Sequence, residues 1–295
     1  MKKCHEVRKP SVNRKYKDTV FRLLFSDREN LLSLYNAIAG TSYQNADRLK
    51  IVTLENAVYM GMKNDLAFLL DTGLYLYEHQ STWNPNMPLR DLFYIASEYQ
   101  MLADQKSLYS SVLCRIPVPK FLVFYNGSEI REDILTLRLS DAFELPQTDP
   151  DLELKVTVYN INAGHNRSLM EQCKILSDYA AYVAKVRQYA EQLPLTDAVE
   201  KAITECINEG ILQEFLRKNR SEVLKVSIFE YDKEKEEKKL REAEFEAGEA
   251  NGILIGQARA IVSMGREFGL TDEEIAFRLR STLKISDSEI HKYMN

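Results

Sequence analysis

Cysteine is scarce in this chain: 295 residues hold four, Cys4, Cys114, Cys173 and Cys206, and no two form a C-x-x-C pair. Single cysteines spread this widely argue against a zinc site and for a reducing compartment. Long apolar runs are missing as well. None approaches the length of a membrane-spanning helix, and the N-terminus carries no hydrophobic signal region, which predicts a soluble cytoplasmic protein with no membrane partner. A basic balance is also lacking. Lys and Arg number 39 against 44 Asp and Glu, for a net charge of −5, so contact with nucleic acid would have to come from a local basic face. Hydrophobic residues make up 45%, enough for a packed core in one large domain or in one domain with an appendage.

The densest signal runs from Lys63 to Gln80. Two apolar, aromatic-rich stretches flank Asp71-Thr72-Gly73 and read as a β-hairpin. Asp65 stands near the start of its first strand, and Glu78 and Gln80 near the end of its second. A two-residue loop at Asp71-Thr72 pairs Asp65 with Glu78; a loop at Thr72-Gly73, or one of four residues from Asp71 to Leu74, pairs it with Gln80. Side chains alternate, so Glu78 and Gln80 share a face and His79 points to the other. Opposed residues lie roughly 4.5–5.5 Å apart at Cβ, so either register gathers Asp65, Glu78 and Gln80. Two carboxylates that close repel unless a cation or proton lies between them, and a hard divalent ion such as Mg²⁺ suits carboxylate oxygens.

Asp followed on the next strand by Glu-x-Gln resembles the core of the PD-(D/E)XK nucleases, with Gln80 where that superfamily has lysine. More narrowly, the chain is similar to the bacterial recombination-promoting nuclease and transposase family. The matching pieces are Asp18-Thr19-Val20-Phe21-Arg22-Leu23-Leu24-Phe25, Asn64-Asp65, Tyr77-Glu78-His79-Gln80-Ser81, Pro88-Leu89-Arg90 and Phe124-Tyr125-Asn126-Gly127. Their order along residues 16–127 carries the resemblance. It implies an α/β fold with a PD-(D/E)XK-like mixed central sheet flanked by helices. It also implies an Mg²⁺-dependent DNA endonuclease, with Mn²⁺ as a substitute ion, linked to recombination or mobile DNA. Asp65 and Glu78 would bind the metal. Gln80 would orient the water or touch the phosphate, although an amide brings neither the charge of a lysine nor a base at neutral pH.

Elsewhere the chain reads as follows. Residues 1–17 are rich in Lys and Arg, either a solvated arm or a phosphate-contacting one. About Asp18 to Ala39 has helical spacing ended by Gly40, with Glu29 on it as a surface carboxylate or a further metal ligand. Ile51 to Tyr59 reads as a strand. Pro88 suits a helix start, and the helix is expected to run to about Leu113. Arg90 and Tyr94, four apart, share a face near its beginning and are candidates for holding the scissile phosphate. Lys120 to Tyr125 is a buried strand, 128–150 is polar and ill-defined, and Leu152 to Ile161 alternates as a strand with one solvated face. Helices follow over 169–192, 197–220 and on to Val226. These place a nuclease-like domain over residues 1–230 and a charged helical tail over 231–295.

In that tail Gly248, Gly252 and Gly256 share a helix face and suggest either a weak helix or close helix contact between copies, hence a homo-oligomer. Thr271-Asp272-Glu273-Glu274 and Ser286-Asp287-Ser288-Glu289 start two short helices as capping boxes, forming a small packing or docking unit. Two other function classes stay open beside the endonuclease. One is a catalytically weak or inactive nuclease-fold protein that binds DNA or a partner. The other is an interaction protein assembled through the tail.

Overall fold

In a computed structural model the described residues are 19–52, 66–103 and 107–294. The chain is mixed α/β and divides into two compact units, Met1–Glu234 and Lys235–Asn295.

The first unit is built on a six-stranded mixed sheet in the order β1-β2-β3-β4-β6-β5. Its strands are β1 (Lys50–Ile51), β2 (Leu66–Leu70), β3 (Gly73–Gln80), β4 (Val118–Tyr125), β5 (Ile134–Arg138) and β6 (Lys155–Asn160). The hairpin is present. Leu70 pairs with Gly73 and Leu66 with Tyr77, so the loop is the two-residue one at Asp71-Thr72. Asp71 takes a left-handed φ of 53°, which a short polar side chain tolerates, and its carboxylate accepts from the Tyr43 hydroxyl at 2.7 Å. From β3 the sheet becomes parallel: β3 pairs with β4 over eight residues, and β4 with β6 over five. A parallel neighbour requires a crossover, and helix α3 (Met87–Leu102) lies in the connection from β3 to β4.

Alternation along the strands sorts the core into two layers. On one side Leu66, Phe68, Tyr77, Leu122 and Phe124 meet α1 (Val20–Phe25), α2 (Arg28–Ala39), α4 (Arg167–Gln172), α5 (Lys174–Ala190) and α6 (Leu195–Glu209). On the other, Leu74, Leu76, Val123, Tyr125 and Val156 pack with Met87, Tyr94 and Ile95 of α3. A sheet covered on both faces explains why β3 and β4 read as nearly continuous apolar runs.

Several boundaries differ from the sequence reading. The first helix is two, because Asp27 leaves helical geometry and its Oδ1 caps α2, accepting from the amides of Glu29 and Asn30 at 3.0 Å each. Gly40 does end α2, with φ 64°. Helix α3 stops at Leu102; Leu108, Tyr109, Val112 and Leu113 beyond it are exposed and do not extend its buried face. Cys173 separates α4 from α5. The helix expected over 197–220 is interrupted at Gly210, where a left-handed glycine ends α6 before α7 (Gln213–Glu267) begins. Most of the strand expected over Ile51–Tyr59 lies outside the described residues. The stretch 128–150 conceals β5, an edge strand antiparallel to β6. The face of β6 expected to be solvated is half-buried, with Tyr159 stacked on Phe124 at 6.3 Å between ring centres.

The second unit contains the end of α7, α8 (Asp272–Leu283) and α9 (Asp287–Met294), packed around Ala258, Val262, Ile275, Leu279, Ile285 and Ile290. The first capping signal is present in full and the second in one half. Thr271 and Glu274 form the reciprocal box, and Ser286 donates to Glu289 through its amide at 2.9 Å and its hydroxyl at 2.6 Å. At Gly248, Gly252 and Gly256 an added Cβ would meet nothing within 4 Å among the described residues.

Phe68 is fully buried between the rings of Tyr75, Tyr77 and Tyr35. Phe68→Ala is expected to destabilise the first unit by about 3–5 kcal/mol. Urea unfolding followed by the fluorescence of Trp83, the single tryptophan, measures this; a loss under 1 kcal/mol would contradict the packing described.

Candidate functional site

The last three residues of β3 divide between the two layers. Glu78 and Gln80 point to the α3 side and His79 to the other, as alternation predicts. His79 Nε2 lies 3.0 Å from the Tyr179 hydroxyl of α5, and its ring stacks on Phe21 at 5.3 Å. Burial, reinforced by the Arg187 charge, lowers its pKa to about 3, so it is a neutral packing group.

Helix α3 supplies the partners of Glu78 and Gln80. Pro88 sits in its first turn, which leaves no amide to satisfy there. One turn on, Arg90 reaches down to the sheet: its Nη2 donates to Glu78 Oε1 at 2.7 Å and to the Tyr94 hydroxyl at 3.2 Å. Arg90 and Tyr94 therefore do share a face, and that face addresses Glu78. Gln80 Nε2 lies 2.6 Å from Met87 Sδ, a weak acceptor. Glu78 and Gln80 are both buried. Burial alone would lower the Arg90 pKa, but the Glu78 carboxylate and Tyr94 outweigh it and hold the guanidinium more firmly charged than usual. Burial followed by the Glu78 charge pushes Tyr94 up to about 12.

Asp65 lies outside the described residues; the register stops at Leu66 opposite Tyr77, one residue after it in the chain. The described residues thus bring together Glu78, Gln80, Arg90 and Tyr94. Glu29 is exposed on α2, whose core contacts are on the other side of the sheet from Glu78. Among the described residues no group of three or more His, Cys, Asp or Glu side chains is placed to hold a metal ion. Glu78 alone provides one carboxylate, with Oε1 engaged by a cation, so the donor set fits a divalent ion only if a second carboxylate joins it.

Two acids on α3 escaped the sequence reading. Asp91 is 3% exposed and Glu98 2%, in phase with Met87, Tyr94 and Ile95 on the inward face. Their signal was an acidic residue at each of two positions seven apart on an apolar helical stripe. Burial pushes both carboxyls up to about 7. Glu98 Oε2 has no hydrogen-bond partner among the described residues.

Two open clefts lie elsewhere. One of about 550 Å³ is lined by Glu29, Ser33, Asn36, Tyr43 and Gln172. One of about 990 Å³ sits at the amino-terminal end of β4, lined by Tyr35, Tyr75, Tyr99, Lys120 and Tyr159 among others. Neither contains Glu78 or Gln80. Compared with known proteins, the chain matches no family model, no curated protein and no solved structure.

The buried acids make stability depend on pH. Between about pH 4 and 7 the native state holds protons that the unfolded chain has released, so stability falls as pH rises through this window. At pH 8 Glu98→Gln and Asp91→Asn should each raise the Tm by about 2–4 °C for each kcal/mol of relieved ionisation. The gain should shrink toward pH 4.5. Scanning calorimetry at both values tests this; unchanged or lower Tm at pH 8 for both variants would refute it.

Proposed function

We propose that the chain is a metal-dependent DNA endonuclease of PD-(D/E)XK type, with Asp65, Glu78 and Gln80 as its catalytic group. The observation that carries this reading is the placement of Glu78 and Gln80 on one buried face at the carboxyl end of β3, with the Arg90 cation against the carboxylate. A mixed sheet with helices on both faces agrees with what the sequence resemblance implies.

Mg²⁺, or Mn²⁺ in its place, would be held by Asp65 and Glu78, and when bound it polarises the phosphate and lowers the pKa of a bound water. Gln80 offers an amide to position that water or the phosphate, without a lysine's charge. Arg90 has a second duty here. A guanidinium matches a phosphate as well as it matches a carboxylate, so the group that neutralises Glu78 in the free protein can turn to the scissile phosphate when DNA arrives. Tyr94, bonded to the same nitrogen, holds Arg90 in line.

A second reading has its own observation. The Glu78–Arg90 pair is short and shielded, and a carboxylate already neutralised has less need of an ion. On that reading the protein binds DNA or a recombination partner without cutting it.

A supercoiled-plasmid nicking assay separates the two. Metal-dependent nicking by the wild type, abolished in both Asp65→Ala and Glu78→Gln, is the expected result; the glutamine keeps an acceptor for Arg90. DNA retention in EDTA with no nicked product at any Mg²⁺ or Mn²⁺ concentration selects the binding reading. Nicking unaffected by either substitution would remove these residues from the site.

A further inference from the structure

Beyond Gln80 the sheet has a second polar feature. The three parallel strands end in step, Gln80 paired with Tyr125 and Tyr125 with Asn160. Gln80 and Asn160 close β3 and β6, Asn126 directly follows the end of β4, and all three carboxamides are buried. The loops that leave these ends are tied together. The Asn126 backbone N–H donates to the Gln80 backbone carbonyl at 2.9 Å, Asn160 Nδ2 to the Arg131 backbone carbonyl at 2.9 Å, and Asn162 Nδ2 to the Gly127 backbone carbonyl at 3.0 Å. In open α/β sheets the crevice beyond the carboxyl ends of parallel strands is where ligands bind.

Two cations stand at this edge. From α5, Arg187 donates through Nη1 to Asn126 Oδ1 at 2.8 Å and through Nη2 to the Asn126 carbonyl. Arg131 lies over the ring of Trp83, 4.2 Å from its centre, and Trp83 meets Tyr125 edge-on. Both guanidinium groups act on the Tyr125 hydroxyl, opposing the rise that burial imposes on its pKa.

Around them three buried side-chain atoms have no hydrogen-bond partner among the described residues: Thr82 Oγ1, Asn126 Nδ2 and Arg131 Nε. All three can donate. Arg187 on Oδ1 fixes the Asn126 amide, so Nδ2 cannot be exchanged for the oxygen. A buried donor left unmade costs about 1–3 kcal/mol, and three in one group of loops call for an acceptor-rich partner. A metal ion needs acceptors and is the wrong partner. A phosphate group has several acceptor oxygens and the charge that two arginines favour.

We propose that these loops form a phosphate-binding site in which Thr82, Asn126, Arg131 and Arg187 donate to a single phosphate group. Glu129 is its competitor. It accepts from Arg131 Nη2 at 2.5 Å, is 48% exposed on its side chain, and competes with an anion for that guanidinium. That the phosphate belongs to the DNA backbone, beside the one that Arg90 would meet, rests on the nuclease reading; the anion site itself does not.

Trp83 makes the test direct, since the single tryptophan lies against Arg131. Inorganic phosphate is titrated into the full-length chain in EDTA, with chloride balancing ionic strength, and followed by Trp83 fluorescence and by calorimetry. A saturable change is expected in the wild type. Arg187→Gln should weaken it about tenfold or more, the loss of one charge-assisted contact. Arg131→Gln, read by calorimetry because it alters the reporter, should do the same. Glu129→Gln should tighten binding several-fold, an effect that a purely structural cluster would not produce and that does not depend on the arginine variants folding. No saturable response in the wild type, or equal affinity in all four proteins, overturns the site. Nicking without phosphate binding refutes this site and leaves the nuclease reading intact; phosphate binding without nicking or DNA binding does the reverse.

Discussion

Parallel pairing of β3 with β4 over eight residues is the constraint on which the first unit depends. A parallel partner cannot be reached by a tight turn, so the chain must leave the sheet, cross one face and return. Helix α3 lies in that connection, which gives it a whole face of the sheet to cover and places its first turn directly after the end of β3. The polar constellation follows from that proximity. Arg90 meets Glu78 because the strand that ends at Gln80 and the helix that starts at Met87 are joined by only six residues.

The inward face of α3 is unusual for a helix that covers a sheet. Beside Met87, Tyr94 and Ile95 it buries Asp91 and Glu98, and its Arg90 is turned onto a buried carboxylate. Buried ionisable groups generally weaken a fold relative to well-packed apolar ones of the same volume. Here the two acids and Arg90, paired with Glu78, are concentrated on one helix next to the end of a central strand.

The hairpin and its alternation were legible in the sequence because both depend on local composition: a polar turn between apolar runs sets the strands, and period two sets the faces of Glu78, His79 and Gln80. The capping signals at Thr271 and Ser286 were legible for the same reason. What was hidden is non-local. Nothing within the Arg90 segment names Glu78 as its partner across a strand–helix connection. Asp91 and Glu98 look like surface acids until their phase with Met87 and Tyr94 is noticed. The strand β5 was missed because one side of an edge strand faces solvent, as Ile134 does, and the apolar density is diluted. The break at Asp27 was masked by apolar residues that keep helical spacing on both sides of it. Arg131 and Arg187, 56 positions apart, come to one edge of the sheet only through the parallel order of β3, β4 and β6.

Glu78, His79 and Gln80 fasten both layers at once: the glutamate to Arg90 on α3, the histidine to Phe21 on α1 and Tyr179 on α5. A single inserted or deleted residue in β3 would exchange their faces. It would drive a carboxylate into an aromatic stack and set an imidazole against a guanidinium, burying two mismatches together. The end of β3 therefore tolerates substitution far better than a change of length, so chains descended from this one should vary in the identity of these three residues before they vary in their spacing.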